Sequence, residues 1–319
     1  MAISSVLRRA LLYVPASSQK FMTKSLSLAS DNITYDLEDS VTPANKQTAR
    51  TQLRDHLSSL SNKPASIGEL AVRINAVSTP YALDDLTTLA SAPNLDAIVI
   101  PKVNSASVLS FVTDVIRHAA PQRHSSDPTA SPLKLIALIE SARAVMDLRS
   151  ICAASPYLSG LIFAAEDFAL DLSITRTPGL AEFLYARSAI VTAARAFDLP
   201  SSIDLVCTSY KGPEGVKRLE EECQNGKEMG FNGKQCIHPS QVEVAQRLFA
   251  PAEAEVEWSV RVLVADDKAS AAGRGAWTLD GKMIDAPVVG KARAVVAKAA
   301  KCGMDIESIK AKWKDQNPE

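Results

Sequence analysis

The chain has 319 residues, 46% of them apolar and 22% charged, with a formal net charge of -1. Such a composition can bury a large core, and a near-neutral balance without a basic stripe or a run of five like charges argues against nucleic acid or a membrane surface as partner. No apolar segment reaches the roughly 20 residues that cross a bilayer, and Cys152, Cys207, Cys223, Cys236 and Cys302 have no Cys-x-x-Cys spacing, as expected of reduced intracellular thiols.

The N-terminus from Met1 to Arg9 is short, basic and hydroxylated, which hints at a transit peptide. The first strand follows too closely to leave a cleavable segment. The expected compartment is therefore the cytoplasm, with the mitochondrion the alternative if a longer precursor exists.

Apolar runs recur through the first three quarters of the chain: Ala10 to Val14, Ile33 to Leu37, Leu70 to Ile74, Ala97 to Pro101, Lys134 to Glu140, Leu158 to Asp167, Ile203 to Val206 and Lys234 to His238. Runs without alternation predict strands covered on both faces, as in parallel sheets sheathed by helices. Segments of helical period separate them, at Pro43 to Leu60, Tyr81 to Ala90, Ser105 to Ala119, Ala142 to Ala153, Leu180 to Phe197 and Pro213 to Met229. Eight such repeats predict a (β/α)8 TIM barrel over residues 1–250. An open doubly wound sheet is the alternative.

After Pro239 the pattern turns to successive helices, Gln241 to Phe249, Glu253 to Ala272 and Pro287 to Lys301, with a Gly-rich loop and a hairpin at Asp280-Gly281 before the last. Residues 251–319 are expected to form a C-terminal helical extension that caps the barrel or reaches another subunit. Pro121 to Pro132 reads as a mobile surface loop.

Barrel active sites lie where strands end, and the residues closing these runs are polar: Asp36, Glu38 and Asp39, then Arg73 and Asn75, Lys102, Glu140, Glu166 and Asp167, and His238. Glu140 and Asp167 are expected to converge at one mouth with little protein cation nearby. Hard oxygen ligands of that kind suit Mg2+, which keeps its other positions for water and substrate. Arg73 is placed to grip a substrate carboxylate bidentately, or else to neutralise Asp36 or Glu38. His238, beside Pro239 at a helix start, reads as a packing or hydrogen-bonding residue. No His-x-x-x-His, Gly-x-Ser-x-Gly or phosphate-loop motif occurs.

The ordered motifs Arg8-Arg-Ala-Leu-Leu-Tyr-Val-Pro15, Tyr35-Asp-Leu-Glu-Asp-Ser-Val41, Val72-Arg-Ile-Asn75, Ile100-Pro-Lys102, Leu138-Ile-Glu140, Phe163-Ala-Ala-Glu-Asp167, Gly230 to Gln241 and Gly281-Lys-Met-Ile-Asp-Ala-Pro287 span nearly the whole chain. With them the sequence resembles the citrate lyase beta-subunit-like family, in the HpcH/HpaI aldolase/citrate lyase group that includes malyl-CoA lyase and citramalyl-CoA lyase. The family's opening motif continues Pro-Gly, where this chain has Pro15-Ala16.

The resemblance implies Mg2+, with Mn2+ the alternative, on Glu140 and Asp167, and Asp36, Glu38 and Asp39 hydrogen-bonding behind them. It implies Arg73 on the carboxylate of a 2-oxoacid or 2-hydroxyacid, and Lys20 and Lys24 on the phosphates of coenzyme A. Asp285 would be a general base supplied by a neighbouring subunit of a homo-oligomer, a trimer or dimer of trimers. The implied activity is cleavage or formation of a carbon–carbon bond in a 3-hydroxyacyl-CoA thioester such as malyl-CoA or citramalyl-CoA, giving acyl-CoA and a 2-oxoacid. Alternatives are a CoA-independent aldolase of 4-hydroxy-2-oxoacids and a non-catalytic subunit of a citrate-lyase-like complex.

Overall fold

A computed structural model describes residues 6–125, 127 and 130–319. The first five residues of the basic N-terminal stretch, and residues 126, 128 and 129 of the loop expected after Pro121, lie outside the described residues. The chain divides into two compact units, Met1–Phe249 and Ala250–Glu319.

In the first unit eight parallel strands close into a barrel: β1 (Ala10–Pro15), β2 (Ser30–Asp36), β3 (Ile67–Arg73), β4 (Ala97–Ile100), β5 (Lys134–Ile139), β6 (Leu158–Phe163), β7 (Ser201–Asp204) and β8 (Gly233–Cys236). Each pairs with its sequence neighbour, and β8 returns to β1 through Ala10 to Leu12. The connecting helices are α1 (Gln19–Ser25), α2 (Lys46–Ser59), α3 (Ala82–Leu89), α4 (Ala106–Ala119), α5 (Ala142–Met146), α6 (Leu148–Ala153), α7 (Ala165–Leu172), α8 (Leu184–Ala196), α9 (Gly212–Met229) and α10 (Val242–Phe249). The expected (β/α)8 barrel is what the chain forms.

The unbroken apolar runs conceal a strict alternation. Leu135, Ala137 and Ile139 of β5 face the helical layer, whereas Ile136 and Leu138 join Leu11, Ala71, Val99, Ile162 and Ile203 inside the barrel. Successive strand residues point to opposite faces, so the next inward position after Ile136 and Leu138 is Glu140. The same parity turns Tyr13 inward after Leu11 and Arg73 inward after Ala71. Some helices are shorter or more broken than their periodicity predicts. The segment Ala142 to Ala153 divides at Asp147, whose N–H turns back to the carbonyls of Arg143 and Ala144. The run Leu158 to Asp167 also divides: β6 stops at Phe163, Ala164 is extended, and α7 begins at Ala165. Glu166 and Asp167 therefore stand in the first turn of a helix rather than at a strand end, a position where the helix dipole favours carboxylates.

The second unit holds α11 (Glu253–Ala271), a hairpin of β9 (Trp277–Leu279) and β10 (Lys282–Ile284), then α12 (Ala286–Lys301) and α13 (Ile306–Lys312). Asp280 and Gly281 form the two-residue turn with φ of 50° and 70°, both in the left-handed region that such hairpins require. Trp277, Leu279 and Ile284 bury the hairpin against Val262, Ala265 and Val289.

Candidate active site

At the C-terminal mouth of the barrel, the loop after β2 is built around Asp36. Its Oδ1 accepts from the N–H of Glu38 at 2.9 Å and its Oδ2 from the N–H of Ser40 at 3.1 Å. Lys46 closes the loop from beneath, its Nζ donating to the carbonyls of Leu37 at 2.7 Å and Glu38 at 2.6 Å. From β3, Arg73 lays its Nε and Nη2 on the two oxygens of Asp36 at 2.7 and 2.8 Å. Its Nη1 meets Glu38 at 3.0 Å and Asp39 at 3.3 Å. The fork expected to take a substrate carboxylate is thus spent on Asp36, and only the Nη1 edge faces the other acids.

Across the mouth, Glu140 follows β5 and Asp167 lies in the first turn of α7. Both converge on Lys102, whose Nζ is 3.4 Å from Glu140 Oε2, 3.1 Å from Asp167 Oδ1 and 3.7 Å from Glu38 Oε1. A cation therefore does stand between these carboxylates, contrary to the sequence expectation, because Lys102 adopts a left-handed backbone with φ of 52° that aims its side chain across the barrel. Non-glycine residues are uncommon in that region, and it is where functional sites concentrate strain.

Burial pushes the carboxyl of Glu140 up to about 7, against the pull of Lys102 and with a further push from Asp167. Burial likewise raises Glu38 to about 7, Arg73 opposing and Asp39 and Glu140 adding to it. Burial works against the Lys102 ammonium, yet Glu140, Asp167 and Glu38 together hold it well above the ordinary lysine value. The mouth thus gathers Asp36, Glu38, Asp39, Glu140 and Asp167 around Arg73 and Lys102, while Glu166 on the same wall pairs with Arg176 at 2.6 Å.

That excess of hard oxygen donors, two of them already converging on one cationic nitrogen, fits Mg2+. Among the described residues no group of three or more His, Cys, Asp or Glu is arranged to hold a metal. An ion held by one or two protein carboxylates and completed by water and substrate needs no such group.

Asp36, Asp39, Glu140, Glu166 and Asp167 line a cavity of about 420 Å³ whose wall also includes Tyr13, Pro15, Gln235 and Ile237. A second cavity of about 300 Å³ shares Tyr13, Pro15 and Ile237 with it and extends along Phe21, Lys24, Ser25 and Leu28. Its lining is mainly apolar, with Lys24 at its rim. Lys20 is exposed on the same short helix but is not part of that lining. Ala16, where the family pattern has glycine, is fully buried, donates its N–H to the carbonyl of Asp36 at 3.0 Å and has no positive φ, so the glycine is not required for this turn.

Two other sequence candidates have structural work. His238 caps the turn after β8, its Nδ1 2.7 Å from Ser240 Oγ, with its ring stacked on Tyr210 at 4.9 Å. Asp285, in the second unit, caps α12 by accepting from the N–H of Val288 at 3.2 Å. Tyr13 and Gln235 were not singled out in the sequence. The inward parity of β1 and β8 would have exposed them.

The chain matches the model of the HpcH/HpaI aldolase/citrate lyase family over residues 9–239. It is 33% identical to the citrate lyase subunit beta of Leuconostoc mesenteroides subsp. cremoris, over 92% of this chain and 93% of that one. It is 32% identical to the mitochondrial citramalyl-CoA lyase of Homo sapiens, over 92% of this chain and 85% of that one. A crystal structure of CitE from Mycobacterium tuberculosis in complex with magnesium, acetoacetate and coenzyme A superimposes with a TM-score of 0.70 and 30% identity, covering 91% of this chain and 97% of the other. The fold, the acidic barrel mouth and these similarities together establish that the chain belongs to the HpcH/HpaI aldolase/citrate lyase family and is a carbon–carbon lyase.

Proposed function

We propose that the protein is a Mg2+-dependent lyase of 3-hydroxyacyl-CoA thioesters of the malyl-CoA or citramalyl-CoA kind, releasing an acyl-CoA and a 2-oxoacid, or running in reverse. The observation that carries this reading is the pair of cavities with a common wall. One, of about 420 Å³, is lined by acids with Arg73 among them, and the other, of about 300 Å³, is mainly apolar with a lysine at its rim. An acid group and a thioester arm joined through the reacting carbons would occupy the two together. The relatives named for CoA thioesters, and the CitE structure holding magnesium and coenzyme A, support the same reading.

Glu140 and Asp167 would hold the metal, with Asp36, Glu38 and Asp39 orienting Arg73 and the loop beside it. Bound there, Mg2+ would supply positive charge beside the carboxylate and hydroxyl oxygens of the acid group, which favours loss of the hydroxyl proton ahead of carbon–carbon cleavage. Arg73 offers its Nη1 edge to the substrate carboxylate, taking it in place of Glu38 or Asp39. Lys24, with Lys20 beyond it, meets the phosphates of coenzyme A. In the cleavage the bond between the carbinol carbon and the carbon next to the thioester breaks. Its electron pair goes to the thioester enolate, the hydroxyl, its proton already lost, becomes the carbonyl, and the enolate is then protonated.

Asp285 is assigned that proton transfer, donated from a neighbouring subunit of a homotrimer or dimer of trimers. Mixing inactive Asp285→Ala chains with inactive Glu140→Ala chains should restore activity if sites are shared, and no recovery would count against sharing. Mn2+ is expected to substitute for Mg2+ with the same oxygen donors. The expected location is the cytoplasm, or the mitochondrion if the precursor is longer; among the described residues no helix is long and apolar enough to cross a membrane.

The assay follows a 2-oxoacid released from malyl-CoA and citramalyl-CoA with and without Mg2+. Release that needs the metal and a thioester supports this reading. Turnover confined to 4-hydroxy-2-oxoacids without CoA would replace it with the aldolase.

A further inference from the structure

Gln235 on β8 turns into the barrel, and its amide is fixed from one side. Nε2 donates to the carbonyl of Phe163 at 2.9 Å and to that of Asp204 at 3.2 Å. The reversed amide would aim an oxygen at two carbonyl oxygens, so only one orientation satisfies the site. Its Oε1 therefore stands as an acceptor 3.0 Å from the Tyr13 hydroxyl. A phenol has a single proton, and Tyr13 must give it to Gln235. Burial pushes the phenol pKa upward, so the hydroxyl stays neutral and keeps that proton. What Tyr13 can still offer is a lone pair, and it lines the same cavity as Arg73, Glu140 and Asp167. Its position is held from the other side as well, since the Arg73 guanidinium lies over its ring at 4.6 Å.

We propose that the Tyr13 hydroxyl, locked by Gln235 as a hydrogen-bond acceptor, selects a hydroxy acid over the matching oxo acid at the acid end of the cavity. This rests on the proposed function and adds to it a residue that discriminates the hydroxyl-bearing substrate from its oxo product. A 2-hydroxyacid brings an O–H that can donate to the free lone pair. A 2-oxoacid brings only lone pairs to the same point, and the site's remaining capacity there is an acceptor. Discrimination of this kind is strong because the mismatched partner leaves a desolvated polar atom unpaired.

The test is Tyr13→Phe, which keeps the ring and its contact with Arg73, so the packing of β1 is preserved. Binding of lactate and pyruvate, one carbon skeleton in its hydroxy and oxo forms, is measured by calorimetry in saturating Mg2+, with Mg2+ affinity and melting temperature measured alongside. The expected result is about tenfold weaker lactate binding, with pyruvate and Mg2+ affinities unchanged, the size expected for one hydrogen bond. Equal weakening of both acids, or of neither, would overturn the selector role and leave the proposed function standing. Failure of the unaltered protein to bind either acid in the presence of Mg2+ would overturn both.

Discussion

At the N-terminal end of the barrel, Arg8 sits fully buried with every donor used. Its Nε and Nη2 reach Glu69 at 2.6 and 3.0 Å, and its remaining contacts go to Ser159 and Ser201 at 2.8 to 2.9 Å. Glu69 also meets Lys134 at 3.2 Å, so this buried carboxylate answers to two cations. The neighbouring backbone is shaped to fit: a Cβ on Gly160 would collide with Ser201 Oγ, and one on Gly233 with the carbonyl of Arg8. At the C-terminal end five carboxylates gather around Arg73 and Lys102, and Glu38 and Glu140 among them are pushed up to about 7. One end pairs its charges and closes, while the other keeps an acidic surplus that only a further cation can balance. The difference lies in charge count and hydrogen-bond closure, since both ends set an arginine fork on a buried carboxylate.

Breaking the closed end should cost the most. Glu69→Ala leaves the Arg8 guanidinium buried without a carboxylate, and removal of one partner of a buried pair typically costs about 3–5 kcal/mol. Denaturant unfolding should register that loss, while the Mg2+ affinity of the remaining folded protein stays unchanged. A coupled loss of metal affinity would mean the two ends are not independent.

Acid should attack the same end next. The cations beside Glu69 outweigh its burial and hold its carboxyl down at about 2, from an ordinary 4.5. The folded value lies below the unfolded one, so the unfolded chain takes up the proton first. Its contribution is whole above pH 4.5 and drains away as pH falls toward 2. The linked stability is on the order of 3 kcal/mol. In Glu69→Gln the slope of stability against pH over that window should flatten.

The open end should answer in the opposite way. Glu140→Gln removes one surplus carboxylate and keeps the shape, so unfolding stability should move by no more than about 1 kcal/mol. Mg2+ affinity should fall by at least about 10- to 100-fold, the loss that follows even when only a partner behind a metal ligand is removed. Calorimetry with Mg2+ beside a denaturant curve separates the two quantities, and a large stability loss with intact metal affinity would make Glu140 a structural acid like Glu69.

How much of this the sequence revealed depends on whether an interaction is local. The strand runs and the residues that end them were legible, because strands covered on both faces are apolar until they reach the mouth. Parity then aims Arg73 and Glu140 inward. Asp167 was misplaced because the apolar run continues through Ala164 and Ala165 into a helix without a turn signal. The bidentate partner of Arg73 was legible only as an alternative, since Asp36 and Glu38 both lie within the same short motif. The lock on Tyr13 was out of reach, because its partner Gln235 stands 222 residues away and depends on two backbone carbonyls from other strands. Lys102 was seen at a strand end, but its left-handed backbone, which decides where the ammonium points, leaves no mark in Ile100-Pro-Lys102.

That lysine offers the finest test of the contrast between the two ends. Its Nζ lies where Glu140 and Asp167 converge, so it does at the mouth what Arg8 does at the base. Its side chain is 43% exposed, however, where that of Arg8 is buried completely. A solvated ammonium can leave at little cost. Lys102→Met keeps the length and removes the charge, so Mg2+ no longer displaces a bound cation or shares the site with one, and its affinity should rise by several-fold. Weaker Mg2+ binding in Lys102→Met, measured by the same titration, would show that the lysine supports the acidic site rather than competing for it.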